Sequence, residues 1–240
     1  MKKATAIIPA RYDSQRFPGK PLVNILGKPM IQRVYQQAKN AKSLNRIIIA
    51  TDDERILKTS QSFGAEVYMT SHEHTSGTER AAETALMLND PIIINIQGDE
   101  PLIKGETIDN IVDILQDDTI PMGTAAEKVK DMSLLKDKNL VKIVLDKNGF
   151  ALYFSRSPIP HRASDFFFKH IGIYGYQRDF LLNFPFLKQS RLEITEKLEQ
   201  LRVLENGYRI KVVIVKSPTM SVDIAEDVPR VEKLLKRLSE

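Results

Sequence analysis

Apolar residues come in two rhythms along this chain. Residues 46–51 (RIIIAT) and 91–97 (PIIINIQ) are nearly unbroken apolar runs, as expected of strands covered on both faces. Residues 3–8 and 66–69 read as further strands. Between them lie stretches of helical spacing. Residues 29–40 place Met30, Ile31, Val34, Tyr35 and Ala38 on one face. A second helix starts after Thr51-Asp52-Asp53 and ends near residue 63, with Gly64 as its C-cap. A third starts at Ser76, whose Ser-x-x-Glu spacing to Glu79 is a capping box, and runs to about residue 88. A fourth covers residues 105–115. Strand and helix alternate, which predicts an α/β, Rossmann-like fold: a mostly parallel central sheet, right-handed crossovers, and helices on both faces.

The second half is richer in strands. Residues 141–145 and 150–154 flank the turn Asp146-Lys147-Asn148-Gly149, which predicts a hairpin. Residues 170–176 and 210–215 are further strands. Residues 191–205 read as one helix with Ile194, Leu198 and Leu201 on its inner face, closed by Asn206-Gly207. Residues 225–238 form a terminal amphipathic helix. Residues 157–168, with two prolines, are the longest candidate loop. The Phe166-Phe167-Phe168 run within them reads as a packed arm or a dimer contact.

Ligands of such sheets bind outside the carboxyl ends of the strands. Four polar segments follow strands there: residues 9–22, Thr51-Asp52, Ser76-Gly77 and Gly98-Asp99. The first carries Arg11, Arg16 and Lys20 among prolines 9, 18 and 21. Guanidiniums fork onto phosphate oxygens, a lysine adds a point charge, and prolines restrict the backbone that carries them. It is not a Walker A loop, because Gly-x-x-x-x-Gly-Lys-Ser/Thr is absent. Taken alone, it is equally a solvated basic loop.

Asp99 and Asp223 each follow a predicted strand, and both are placed to face the same sheet edge. Paired carboxylates opposite a phosphate-binding loop suit magnesium, a hard cation that shares carboxylates with substrate phosphates. Each is otherwise a helix cap. His72-Glu73-His74 has no helical ligand spacing and reads as a solvated loop.

Composition narrows the class. The chain has 240 residues, 42% hydrophobic and 28% charged, enough for one substantial core. The net charge of +4 is dispersed, a slight pull towards anions and no case for a nucleic-acid partner. With no cysteine, disulfides, thiolate catalysis and thiolate-bound zinc are excluded. The basic start is cut short by Pro9, and no apolar segment approaches the ~18 residues of a membrane span. A cytoplasmic protein with no membrane partner is expected.

The blocks IIPARYDSQRFPGKPL, ATDDERI, TSGTERAAE, NIQGDEP, VKIVLDKNGFALYFSR, KHIGIYGY, LEQLRVLENG and SVDIAEDV cover nearly the whole chain in order. Together they resemble the sugar-activating cytidylyltransferases, and among these the 3-deoxy-manno-octulosonate (KDO) cytidylyltransferase family. The resemblance implies magnesium-dependent transfer of CMP from CTP to KDO, releasing pyrophosphate and activating KDO for lipopolysaccharide biosynthesis. It implies one cytidylyltransferase domain over 1–240. Residues 1–130 would be its nucleotide-binding part, 131–220 a smaller β-rich part for sugar and a homodimer contact, and 221–240 the metal aspartate with the C-terminal helix. Magnesium would sit on Asp99 and Asp223, with Arg16 and Lys20 also serving catalysis. The nucleotide would meet Pro9, Ala10, Arg11, Arg16, Lys20, Ser76, Gly77, Arg80 and Gln97. The sugar would meet Arg156, His170, Tyr174, Glu199 and Gln200, a guanidinium for its carboxylate and polar groups for its hydroxyls. Without the family, Tyr174 is equally a core residue, Glu199 an exposed helix residue, and His170 the end of a strand.

Three departures from the family pattern stand out. Phe17 replaces a usual leucine, residues 161–169 are short, and the late aspartate lies in Ser-Val-Asp-Ile-Ala-Glu-Asp instead of Gly-Val-Asp-Thr-Pro-Glu-Asp. The alternatives are activation of 8-amino-KDO or another acid sugar, and a nucleotide-binding module without turnover. Pro21 after Lys20 argues against sialic acid, whose enzymes usually carry asparagine there.

Overall fold

A computed structural model describes residues 1–13, 17–216 and 220–239. The chain opens with strand β1 (Ala4–Ala10), a short 3-10 turn over Lys20–Leu22, and the two-residue strands β2 (Asn24–Ile25) and β3 (Lys28–Pro29). Then follow α1 (Met30–Ala38), β4 (Leu44–Thr51), α2 (Glu54–Ser62), β5 (Glu66–Met69), α3 (Gly77–Leu86), β6 (Ile92–Ile96) and α4 (Gly105–Ile114). The second half holds β7 (Met122–Val129), β8 (Lys142–Leu145), β9 (Ala151–Ser155), β10 (Phe167–Gln177), α5 (Arg178–Asn183), α6 (Arg191–Glu196), α7 (Gln200–Glu205), β11 (Ile210–Val215) and α8 (Val228–Ser239).

The main sheet has nine strands, with the path β11-β7-β10-β6-β1-β4-β5 and the β8–β9 hairpin attached to β10. β1 pairs in parallel with β4 and β6, β4 with β5, and β11 with β7. Only β10 on that path runs against its neighbours. The apolar runs have the two-faced burial that their lack of alternation implied. Ile8, Ile49, Ile92, Ile94 and Ile96 face one core with α1 and α4. Ile7, Ile48, Ala50 and Ile93 face the other, with α3, α5 and α7. Successive strand residues point to opposite faces, so one run serves both layers.

Three local expectations are corrected. Residues 191–205 form two helices, because Lys197 takes a left-handed conformation (φ 55°) between α6 and α7. The break is pinned by Arg202 of α7, whose guanidinium forks onto Glu193 of α6 at 2.8 and 2.6 Å. Ile194, expected on the inner face, is 59% exposed as a result. At α3, Ser76 caps Glu79 N as expected, but the Glu79 carboxylate turns to Thr75 N at 2.8 Å, so only half of a capping box forms. The strand expected over 170–176 begins three residues earlier, so Phe167 is buried in β10 while Phe166 lies exposed just before it.

Candidate active site

The order of strands decides where a ligand can enter. From β1 the chain goes to β4 and β5 on one side, then returns to place β6 on the other. β1 pairs with β6 only through Ile7, while its pairing with β4 continues to Ala10. The two strands therefore part at their carboxyl ends, and a crevice opens at this reversal. Backbone approaches closely there: a Cβ on Gly98 would lie 2.9 Å from the Pro9 carbonyl oxygen, and one on Gly77 3.1 Å from Pro9 Cγ.

A cavity of about 660 Å³ fills this crevice. It is lined by Pro9, Ala10, Arg11, Lys20, Ser76, Gly77, Arg80, Gln97 and Asp99, which are all the expected nucleotide residues except Arg16, with the first of the two aspartates expected to hold metal. Arg16 lies outside the described residues. Gly19 (φ 72°) turns the basic loop, and its N–H donates to Tyr12 O at 2.9 Å. The Arg55 guanidinium lies over the Tyr12 ring at 3.2 Å and is itself forked onto Asp53. That stack ties the loop to α2. Arg80 is buried, with its guanidinium on Asp52 at 2.8 Å and on Thr70 Oγ1, so its charge is already matched inside the fold. The N-terminus of α3 at Gly77 also borders the cavity and favours an anion.

A second cavity of about 440 Å³ lies beside the first. Arg156, His170, Tyr174, Gln200 and Asp223 line it, together with Glu100, Lys169 and Gly172. Arg156 lines both cavities. Its position is held from below by Lys142, fully buried, whose ammonium donates to Asp137 O, Leu140 O and Arg156 O. Those three carbonyls take the three donors of the ammonium.

His170 has a defined tautomer. Thr124 Oγ1 lies 2.7 Å from Ile173 O and 2.9 Å from His170 Nε2. A carbonyl only accepts, so the hydroxyl proton goes to Ile173 and Nε2–H donates to Thr124. Burial lowers the His170 pKa to about 3, so the ring is neutral and Nδ1 remains an acceptor. Burial, with Glu199 and Glu100 nearby, raises the Tyr174 hydroxyl well above its ordinary range and keeps it protonated. Glu199 lines neither cavity. It accepts from Thr78 Oγ1 beneath α3, and burial raises its pKa.

The segments that carry the two aspartates meet at the boundary. Val222 N donates to Asp99 O at 2.9 Å, which brings the segment after β11 against the turn after β6. Neither aspartate acts as a helix cap. Asp99 Oδ2 holds Lys20 Nζ at 2.5 Å, and α4 begins later, at Gly105. The 3-10 turn before α8 is capped by Asp227, which accepts from Asp223 N and Ile224 N. The donor chemistry fits a hard divalent cation that completes its shell with substrate oxygens. Among the described residues, no group of three or more His, Cys, Asp or Glu forms a protein-only metal cage.

Two residues at the nucleotide cavity escaped sequence reasoning. His74 is held by Glu83 and lines the cavity instead of lying solvated in its loop. Its signal was a carboxylate nine residues on, across a turn whose shape the sequence does not give. Lys197 reaches the cavity only because the helix breaks at it.

The chain matches the family model described as cytidylyltransferase over residues 5–212. The 3-deoxy-manno-octulosonate cytidylyltransferase of Syntrophotalea carbinolica is 49% identical, covering 98% of this chain and 99% of that protein. The protein of that name from Solibacter usitatus is also 49% identical, over 98% and 95%. A solved CMP:2-keto-3-deoxy-manno-octonic acid synthetase complexed with CTP superposes with a TM-score of 0.93 at 38% identity, covering 98% of this chain and 99% of that one. A 4-diphosphocytidyl-2C-methyl-D-erythritol synthase from Anaerococcus prevotii shares the fold alone, with a TM-score of 0.66 at 15% identity. The chain is a nucleotidyltransferase: it belongs to the cytidylyltransferase family and, within it, to the 3-deoxy-manno-octulosonate cytidylyltransferases.

Proposed function

We propose that this enzyme transfers CMP from CTP to KDO, with the nucleotide in the crevice between β1 and β6 and the sugar in the neighbouring cavity. The observation that carries the arrangement is that Arg156 lines both cavities, while the Val222–Asp99 backbone hydrogen bond sets Asp223 of the sugar side next to the turn that carries Asp99. The anomeric oxygen of KDO forms a bond to the α-phosphorus of CTP. The bond from that phosphorus to the β-phosphate bridging oxygen breaks, pyrophosphate leaves, and the hydroxyl proton passes to solvent. Arg11 and Lys20 hold the triphosphate, and the N-terminus of α3 faces its charge. Arg156 takes the sugar carboxylate, which fixes the anomeric carbon towards the nucleotide. His170 Nδ1 accepts from a sugar hydroxyl, and Tyr174 and Gln200 donate. Asp99 and Asp223 would hold magnesium, which when bound lowers the pKa of the attacking hydroxyl and offsets charge on the α-phosphate.

The setting follows from the chemistry. CTP supply puts the enzyme in the cytoplasm, and the product feeds lipopolysaccharide assembly. No helix among the described residues is long and apolar enough to cross a membrane. A homodimer would form through the β8–β9 side, where Leu152 is 60% exposed. Gel filtration at micromolar concentration should then give twice the chain mass, and a monomer would remove that part. The reaction is tested by pyrophosphate release with CTP, magnesium and KDO, in parallel with 8-amino-KDO, with sialic acid and with no sugar. Release requiring KDO is expected. Release with the amino sugar alone would reassign the substrate, and CTP binding without release in any arm would make the chain a binding module.

A further inference from the structure

Glu100 is the anomaly of the second cavity. It follows Asp99, is only 7% exposed, and its Oε2 has no hydrogen-bond partner among the described residues. A buried carboxylate oxygen left without a donor costs free energy that a fold built for stability alone would avoid. Two neighbouring observations say where its partner comes from. Glu100 lines the sugar-side cavity and not the nucleotide crevice, whereas Asp99 lines the crevice and not the sugar side. Gly172, on β10, lines the same cavity, and a Cβ there would sit 3.5 Å from Glu100 Oε1. A larger side chain at position 172 would cover the carboxyl group.

Resting on the reading of this cavity as the sugar site, we propose that Glu100 accepts a hydrogen bond from a hydroxyl of the acceptor sugar and so helps to decide which sugar is used. The adjacent carboxylates therefore divide the labour. Asp99 turns to the basic loop through Lys20, and Glu100 turns to the acceptor. Gly172 is the opening through which that hydroxyl reaches it. A site built around a buried acceptor rejects an analogue lacking the matching hydroxyl much more strongly than it rejects a change of size.

The test combines variants with deoxy sugars. Wild type is first assayed by pyrophosphate release on a panel of acid sugars, and the sugar it uses is taken forward as single-deoxy analogues. One analogue should lose about 10- to 100-fold in kcat/KM with wild type, the range for leaving a buried polar group unpaired. Glu100→Gln should raise KM for the intact sugar by a similar factor while leaving KM for CTP within about twofold. It should also show little further loss with that one analogue. Sugar binding measured by calorimetry in the presence of a non-hydrolysable CTP analogue should weaken in parallel. Gly172→Val should copy the sugar-side effect with Glu100 intact. If every deoxy analogue loses equally in wild type and in Glu100→Gln, the proposal is overturned. If Glu100→Gln leaves the sugar KM unchanged and raises only the magnesium requirement, Glu100 belongs to the cation and the proposal is again overturned. Should Glu100→Gln fail to fold, the deoxy scan on wild type against Gly172→Val decides: a sensitivity unaltered by the valine refutes it. Absence of wild-type turnover with any acid sugar is a different result. It removes the sugar-site reading itself, and this inference with it.

Discussion

Acid should destabilise this protein through one histidine. The His170 ring is enclosed by Phe154 at 5.1 Å, Tyr174 at 5.4 Å and the Thr124 hydroxyl, and its pKa falls to about 3. In the unfolded chain the value is about 6.5. Between those limits the unfolded state binds a proton that the folded state refuses, so stability rises with pH across the window and falls on acidification. From pH 6.5 to pH 5 the loss is at most about 2 kcal/mol, at 1.36 kcal/mol per unit; the side chain keeps some exposure, which reduces it. Glu100 acts with the opposite sign. Burial, and Asp99 beside it, raise its pKa to about 8, so the folded chain keeps a proton that the unfolded chain loses above about 4.5. The two slopes oppose each other between about pH 4.5 and 6.5, so the wild-type curve alone does not isolate either. His170→Gln keeps an amide donor for Thr124 and removes the titration. Urea unfolding at pH 7 and pH 5 should show the variant gaining on wild type by about 1–2 kcal/mol on acidification. Parallel curves would refute the argument, because they would mean that His170 titrates alike in both states.

Three further outcomes follow from the same structure. Asp99→Asn and Asp223→Asn should each cut kcat about 100-fold or more with unchanged circular dichroism, since neither side chain caps a helix; near-native turnover in either variant would remove that residue from the reaction. Arg80→Met should lower stability by about 3 kcal/mol, the low end for a buried pair, because it removes a buried guanidinium from partly exposed Asp52. A shift of the thermal midpoint below about 5 °C would contradict that cost. Lys142→Met should raise KM for the sugar more than KM for CTP, because the ammonium that ties Arg156 to the 137–140 loop is lost. An equal effect on both constants would mean general loosening.

The parts legible in the sequence were those with strong local signals. The runs around Ile47–Ile49 and Ile92–Ile94 could be little but buried strands, and Asp53 and Ser76 start their helices where the pattern places them. Pro9, Lys20, Gly77 and Asp99 were legible as one edge, because a parallel sheet gathers its strand ends on one side. Strand β7 (MGTAAEKV) escaped, since its small residues give neither an apolar run nor clean alternation. The break at Lys197 escaped because Leu198 and Leu201 keep helical spacing across it, and the Arg202–Glu193 pair that holds it is tertiary. Glu100 escaped because the sequence shows two adjacent carboxylates, while only the fold shows that they line different cavities.

The central claim is that two adjoining cavities hold the two substrates with Asp99, Asp223 and Arg156 at their junction. A crystal structure with CTP, magnesium and a KDO analogue lacking the anomeric hydroxyl tests it most directly. The account predicts the triphosphate against Arg11 and Lys20, the sugar carboxylate on Arg156 beside His170 and Tyr174, and one cation shared by Asp99, Asp223 and the α-phosphate. A sugar bound away from His170 and Tyr174, or a cation held without Asp223, would contradict it.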